Sequence, residues 1–186
     1  MIVITGEEQY TGGGTVLALG MFDGVHLGHR SLINRAVEMA REMNADAMVC
    51  TFDRHPLSVI RPEAAPEALM SLEDRLRIFE RLGADWALVK PFTREFADIE
   101  AEYFLENLVR LTRAKAIVCG ENYSFGRGGM GGSAMIKNMA HKLGYRPVIM
   151  RSVKNGGEVV SSTLIRRLIS EGDMRRAREL LGEQRQ

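Results

Sequence analysis

Short, uninterrupted apolar runs alternate along this chain with segments whose apolar residues recur at helical spacing. The apolar runs cover residues 15–20, 47–52, 85–90, 115–119 and 147–150. The helical patterns cover residues 27–43, 71–82, 100–111, 133–143, 162–170 and 173–181. Strands that lack polar alternation are buried on both faces, and parallel strands need crossover helices. The pattern therefore predicts an α/β fold, a doubly wound parallel sheet of five strands with helices on both faces.

This fold class also predicts where function lies. Ligands of doubly wound sheets bind beyond the carboxyl ends of the strands, where the strand order reverses. Three stretches that follow predicted strand ends break the regular pattern, namely 21–30, 53–70 and 120–132. With the first predicted strand between the second and the fourth, Cys50 and Cys119 lie two strand spacings apart, roughly 9–10 Å. A disulfide requires Cα atoms within about 7 Å, so we expect two free thiols.

The segment 20–29, GMFDGVHLGH, leads from the first of these strands into the first long helix. Gly20 and Gly24 allow a tight turn, and a helix start offers free N–H groups to an anion. His26 and His29 lie on the first helical turn and can face one side, while Gly28 leaves room for a nucleotide. A tight turn with two surface histidines is the alternative. The combination of spacing and glycines favours a phosphate site.

Two further segments carry candidate binding groups. Residues 160–166, VSSTLIR, place consecutive hydroxyls at a helix start with Arg166 one turn later. They can cap the helix or, together with the helix N–H groups, hold a polyphosphate. Residues 120–132 contain six of the 19 glycines, with Asn122, Tyr123, Phe125 and Arg127 among them. This loop is either a flexible surface loop or a grip for a planar ligand. Residues 53–70, with three of the five prolines, suggest a lid.

These motifs carry a family resemblance. The H-x-G-H motif after a strand resembles the nucleotidyltransferase superfamily, and the fuller segment 20–29 is similar to the bacterial FAD synthetase (FMN adenylyltransferase) module. That module belongs to the bifunctional riboflavin kinase/FAD synthetase family. Segments 51–56 (TFDRHP), 120–126 (GENYSFG) and 160–166 match the same family, so the resemblance covers about residues 15–182. It implies a Rossmann-like HxGH nucleotidyltransferase fold. It also implies transfer of AMP from ATP to FMN, giving FAD and pyrophosphate, with Mg²⁺.

The resemblance also implies roles for individual residues. It makes His26, His29, Asn122 and Arg166 catalytic. The residues it implies for ATP are Gly20, Phe22, Asp23, Gly24, Gly28, Gly120, Ser162, Thr163 and Arg166. Those it implies for FMN are Phe52, His55, Pro56, Asn122, Tyr123, Phe125 and Arg127. The sequence shows no dedicated acidic cluster for a metal, so we expect ATP to bring most ligands of its Mg²⁺.

Charge and composition limit the partners. A net charge of +1 predicts no binding of nucleic acid by bulk charge, and no apolar run approaches the length of a membrane span. With no leader pattern and two cysteines, we expect a cytoplasmic protein. We also expect one domain over 1–186 without a riboflavin kinase, so that FMN comes either from a separate riboflavin kinase or from a portion removed from this chain. Two other functions stay open: a nucleotidyltransferase with a different phosphate acceptor, and a sensor of flavin or nucleotide that does no chemistry.

Overall fold

The computed structural model describes residues 1–5 and 10–183. Its larger strands are β1 (Ile2–Thr5), β2 (Thr15–Leu19), β3 (Asp46–Phe52), β4 (Trp86–Lys90), β5 (Ala114–Gly120) and β8 (Arg146–Met150). Short strands are β6 (Ser124–Phe125), β7 (Gly131–Gly132), β9 (Lys154–Asn155) and β10 (Glu158–Val159). The helices are α1 (Leu27–Glu42), α2 (Leu57–Ile60), α3 (Leu72–Arg81), α4 (Arg94–Ala97), α5 (Ala101–Thr112), α6 (Ser133–Leu143), α7 (Ser162–Ser170) and α8 (Met174–Leu181).

The six larger strands form one parallel sheet in the order β1-β4-β3-β2-β5-β8. This confirms the doubly wound α/β fold, but the predicted number of five strands is wrong by one. The additional strand, β1, pairs with β4 at the edge of the sheet. Three of its four residues are exposed and only Ile4 is buried. Because an edge strand buries so little, its short apolar run carries a weaker signal than the central strands do.

The strand order reverses at β2, which lies between β3 and β5 as predicted. Leu19 at the end of β2 is aligned with Cys50 on one side and with Cys119 on the other. Both cysteines are free and buried, and burial raises the pKa of each thiol to about 12. The expected pair of free thiols is confirmed. The carboxyl ends of β2, β3 and β5 therefore meet at the switch point where ligands bind in this fold class.

Helices cover both faces of the sheet, as predicted. Val16, Ala18 and Val49 face α1 and α3, whereas Leu17 and Met48 face α5 and α6. Helices α7 and α8 form a third apolar cluster, centred on fully buried residues of both helices. Residues from the start of α1 and from the segment 53–70 pack against that cluster. This packing brings the start of α7 close to the start of α1.

Two segments expected to be irregular have more structure than the sequence suggests. Residues 53–70 contain α2 and a 3₁₀ turn at Pro62–Ala64. Within residues 120–132, β6 and β7 pair as an antiparallel hairpin that lies on the start of α5. A Cβ atom at Gly126 would lie 2.5 Å from Ala101, so this close approach needs glycine. The glycines therefore allow tight packing here rather than only flexibility.

Candidate active site

A cavity of about 350 Å³ opens where β2, β3, β5 and β8 end. This volume is within the range of small-molecule sites. Its walls include predicted site residues from all of the segments 20–29, 51–56 and 120–126, together with Val160 and Ser161 of the segment 160–166. The predicted residues that line it are Gly20, His26, Gly28, His29, Phe52, His55, Pro56, Gly120, Asn122 and Tyr123.

The turn between β2 and α1 holds the backbone in an uncommon conformation. Gly24 has φ +78°, and two residues with side chains, Phe22 and Val25, also have positive φ values of 54° and 37°. Such strain persists only where surrounding contacts impose it. Phe22 is fully buried, and its ring packs edge-on against Phe79 at 5.5 Å. The buried ring thus anchors the turn that presents His26 at the start of α1.

The two histidines of the H-x-G-H motif stack on each other beside the cavity. Their ring centroids are 3.6 Å apart and their planes differ by 15°. Nδ1 of His26 accepts a hydrogen bond from the backbone N–H of His29 at 3.3 Å, which caps α1. A neutral imidazole that accepts at Nδ1 carries its proton on Nε2. His26 is therefore a donor through Nε2.

Burial keeps both imidazoles neutral. It lowers the pKa of His26 to about 4. It also lowers the pKa of His29 well below the usual value, and the charges of His26 and Arg75 act in the same direction. At neutral pH the pair therefore offers N–H donors and not full positive charges.

Gly28 has a different local role from the expected one. A Cβ atom at this position would lie 3.2 Å from both Cε1 and Nδ1 of His26. The His26 ring thus occupies part of the space beside Gly28 that was expected to admit a nucleotide. The missing side chain allows His26 to fold back over the first turn of α1.

A partly buried ion pair connects the turn to α7 and to the segment 53–70. The carboxylate of Asp23, 5% exposed, pairs through Oδ2 with Arg166 and accepts the Leu69 backbone N–H at 3.0 Å through Oδ1. The Asp23 carbonyl accepts the Ser162 hydroxyl at 2.9 Å. Nε of Arg166 donates to the carbonyl of Glu67 at 2.8 Å. In this state Arg166 therefore holds the segment 53–70 against the turn.

Aromatic and imidazole groups form another part of the cavity wall. The ring of Tyr123 lies 5.7 Å from that of Phe125, with planes 25° apart, and burial raises the pKa of Tyr123 well above its usual value. His55 accepts the backbone N–H of Leu57 at 3.1 Å through Nδ1, and burial lowers the pKa of His55. Phe52 and Pro56 lie beside them on the wall. This wall suits a planar, largely apolar ligand.

Comparison with known proteins assigns the chain to a family. The family model for FAD synthetase matches residues 8–164. The chain belongs to the FAD synthetase family. Among its relatives are the bifunctional riboflavin kinase/FMN adenylyltransferases of Escherichia coli K12, 33% identical over 170 residues, and of Listeria monocytogenes, 34% identical over 178 residues. These matches cover 91% and 94% of this chain but 54% and 56% of the relatives, so the chain spans about half of their length.

A solved structure matches this FAD synthetase family member closely in fold. It is described as a macrolide-efflux protein from Streptococcus pneumoniae, and it aligns with a TM-score of 0.86 and 28% identity. The match covers 98% of this chain and 62% of the other. In the part of the present chain that the structure describes, no helix combines the length and apolar character needed to cross a bilayer.

Several predicted site residues lie outside the cavity of this FAD synthetase family member. Phe22 is buried against the ring of His29, and Gly24 lies within the turn. Phe125 is in the hydrophobic core, against Phe104. Arg127 pairs with Glu100 on the surface. Asp23 and Arg166 pair with each other, Ser162 bonds to the turn, and Thr163 lines a neighbouring shallow depression.

The side chains around the cavity offer few ligands to a metal ion held by the protein itself. Across residues 1–5 and 10–183, no three His, Cys, Asp or Glu side chains converge as a metal site. Asp23, the acidic member of the predicted ATP set, already accepts from Arg166 and Leu69. These residues fit a Mg²⁺ ion that stays coordinated by ATP phosphates more than one held by the protein.

Other lining residues were not singled out from the sequence. They are Leu19, Met21, Ser31, Leu32, Ser124, Met150, Arg151, Ser152, Val153 and Val159. Residues 151–153 directly follow β8, so the same search at strand ends would have found them. Arg75 of α3, which donates to the carbonyls of Met21 and Phe52 behind the cavity wall, was also not predicted from the sequence. One charged residue among several in a helical pattern carries no sequence signal of its own.

Proposed function

We propose that this chain transfers AMP from ATP to FMN, giving FAD and pyrophosphate. The proposal rests on the stacked pair of neutral histidines, which lies beside a cavity lined by both polar and apolar side chains. Residues at the start of α1 and around β8 and α7 line one part of that cavity, and Phe52, His55 and Tyr123 line another. Membership of the FAD synthetase family supports the same reaction.

The reaction is a displacement at the α-phosphorus of ATP. An oxygen of the FMN phosphate forms the new P–O bond, and the bond to the bridging oxygen breaks. Pyrophosphate leaves with the electron pair. Because the FMN phosphate is already an anion at neutral pH, no general base is needed, and catalysis consists of positioning and charge stabilisation. Nε2–H of His26 donates to the α-phosphate as charge develops there, and His29 supplies the second imidazole.

ATP is proposed to bind on the side of α1 and α7. Gly20, Gly28 and Gly120 line this part of the cavity, where Gly28 leaves room for the His26 ring. Ser162 and Thr163 lie at the start of α7, whose free N–H groups favour phosphate. Arg166 would exchange Asp23 for the β and γ phosphates, a bidentate pairing that guanidinium favours. Bound Mg²⁺ would neutralise part of the polyphosphate charge. Phe22, Asp23 and Gly24 would act by shaping the turn beneath the nucleotide.

FMN is proposed to bind at the aromatic wall. Phe52, His55, Pro56 and Tyr123 would contact the flavin, and Asn122 would hold its phosphate near the histidines. Phe125 would support Tyr123 from beneath, since the two rings are in contact. For Arg127 the proposal requires movement, because it now pairs with Glu100 on the outer surface.

A product assay tests this function and separates it from the two alternatives. Incubation with ATP, Mg²⁺ and FMN should yield FAD and pyrophosphate by chromatography. Transfer of a nucleotide only to another phosphate acceptor would favour a different nucleotidyltransferase, and flavin binding without any transfer would favour a sensor. Riboflavin replaces FMN in a parallel reaction. We expect no FAD from it, because riboflavin lacks the phosphate whose oxygen forms the new bond.

A further inference from the structure

Two buried side-chain atoms lack a hydrogen-bond partner within the part of the chain that the structure describes. They are Nδ1 of His29 and Nε of Arg75. The nitrogen Nε of arginine is always a donor, whereas Nδ1 of a neutral histidine can accept. The two residues also interact electrostatically, since the charge of Arg75 contributes to the lowered pKa of His29. An unpaired buried donor and an unpaired buried acceptor thus belong to neighbouring groups.

Arg75 is a buried cation that holds the ends of two strands together. Its side chain lies on α3, and the residue is 3% exposed. Nη1 donates to the carbonyl of Met21 at 3.0 Å and to the hydroxyl of Thr51 at 3.2 Å. Nη2 donates to the carbonyls of Phe52 at 3.1 Å and Asp53 at 3.4 Å. Arg75 therefore joins the turn after β2 to the chain that leaves β3.

Side chains packed around Arg75 also contact the turn between β2 and α1, which holds the two histidines. Phe79 lies one helical turn after Arg75 on the same face of α3. The ring of Phe79 packs against Phe22, and the ring of Phe22 packs edge-on against His29 at 5.2 Å. One face of α3 thus supports the Phe22 ring, which in turn contacts His29.

We propose that Arg75 is a positioning residue for His29, holding its imidazole in the tautomer that has the proton on Nε2. In that tautomer Nδ1 offers a lone pair, and one buried water between it and Nε–H of Arg75 would satisfy both unpaired atoms. The other tautomer would leave two N–H donors beside each other with no acceptor. The arrangement corresponds to that of catalytic histidines whose second nitrogen is fixed by a neighbouring group.

The catalytic consequence rests on the proposed function. Nδ1 of His26 is already occupied by a backbone N–H, so His26 donates through Nε2. With Arg75 in place His29 donates through the same atom, and the stacked rings present two parallel Nε2–H donors. Loss of Arg75 would allow His29 to populate both tautomers and would loosen the turn at Met21. The rate of AMP transfer should fall more than the affinity for ATP, because the donors act on developing charge.

The tautomer can be measured in the intact wild-type chain. Nitrogen-15 NMR of histidine-labelled protein at pH 7.5 distinguishes a proton on Nε2 from one on Nδ1. We expect His29, assigned by its loss in His29→Gln, to carry its proton on Nε2. A proton on Nδ1 of His29 would overturn the inference. This measurement needs neither an Arg75 variant nor any enzymatic activity.

Variants of Arg75 test the consequence for the reaction. Arg75→Met should reduce kcat at least about tenfold while the Kd for ATP changes less than about threefold. Arg75→Lys keeps the charge but not the planar guanidinium contacts, so it should retain the Nε2 tautomer and lose less kcat than Arg75→Met. Arg77→Met is the matched control, since Arg77 lies on the exposed face of α3 and pairs with Glu73 and Asp74.

The outcomes separate this inference from the proposed function. A folded Arg75→Met chain with wild-type kcat would overturn the positioning role, and so would a Kd for ATP that rises in step with the loss of rate. Should Arg75→Met not fold, the wild-type tautomer and Arg75→Lys decide. Should the wild-type chain make no FAD, the proposed function fails, and the tautomer measurement alone decides the inference.

Discussion

Acid should destabilise this chain through His26. The residue is 6% exposed, and burial lowers its pKa to about 4, whereas an unfolded histidine titrates near 6.5. Above pH 6.5 neither state is protonated and His26 carries no penalty. As the pH falls from 6.5 towards 4, the unfolded chain binds a proton that the folded chain does not, so the free energy of unfolding decreases. Below pH 4 both states are protonated and the loss is complete.

The magnitude follows from the difference between the two pKa values. A change from 6.5 to 4 corresponds to about 3.4 kcal/mol when the loss is complete, and to about 2 kcal/mol at pH 5 relative to pH 7. His29 adds to the loss in the same direction, since burial lowers its pKa as well. Against a typical domain stability of about 5–15 kcal/mol, the contribution of His26 alone is large enough to measure.

A substitution that keeps the helix cap isolates this effect. His26→Asn retains a side-chain acceptor at the start of α1 and removes the titrating group. Urea denaturation at pH 7 and pH 5, in buffers without phosphate, gives the free energy of unfolding at each pH. The loss between the two should be about 2 kcal/mol smaller in His26→Asn than in the wild type. His141→Gln, an exposed residue on α6, is the control and should lose as much as the wild type.

The comparison uses the change with pH, so a general destabilisation by the variant does not affect it. Equal losses in wild type and His26→Asn would refute the reasoning, because they would mean that His26 titrates in the folded chain much as it does in the unfolded one.

Three further predictions follow from the site and the sheet. His29→Ala should slow AMP transfer by about 100-fold, on the order of 3 kcal/mol, with little change in the affinity for ATP by calorimetry; a parallel loss of affinity would make His29 an ordinary binding group. Asp23→Asn should accelerate hydrogen exchange at the Leu69 amide, because the acceptor loses its charge; unchanged exchange would contradict the link from the turn to residues 53–70. Cys50 and Cys119 should resist thiol reagents in the native chain and report two thiols after unfolding without reductant; fewer than two would contradict their placement.

The central sheet could be predicted because its strands are buried on both faces. Residues 47–52 and 115–119 read as continuous apolar runs, and helices α6 and α7 begin and end where the periodicity indicates. The helical pattern that begins at residue 71 matches α3, whose first turn Ser71 caps by accepting the Asp74 N–H at 3.1 Å. The edge strand β1 was missed because only Ile4 is buried there. Local pattern thus predicts an element well when most of its residues are buried.

The contacts within the site could not be predicted in the same way. The sequence indicates a phosphate site around His26 and His29, since the motif combines a helix start with two imidazoles. It does not indicate that the rings stack at 3.6 Å or that burial lowers both pKa values. It also does not indicate that Arg166 pairs with Asp23. These features depend on which groups from distant segments meet and on how much water they exclude.

The sequence by itself determined the parallel sheet, its switch point and the residue types offered there, because periodicity and turn chemistry act over a few residues. Only the tertiary structure decided which of those groups are neutral, which are already paired and which face the cavity. Arg75 shows the reason. Its position in a charged helix is uninformative, yet folding places it beneath Met21 and Phe52, where it carries a buried charge. The chemistry of a side chain depends on its solvation and its partners, and both come from residues far away in the sequence.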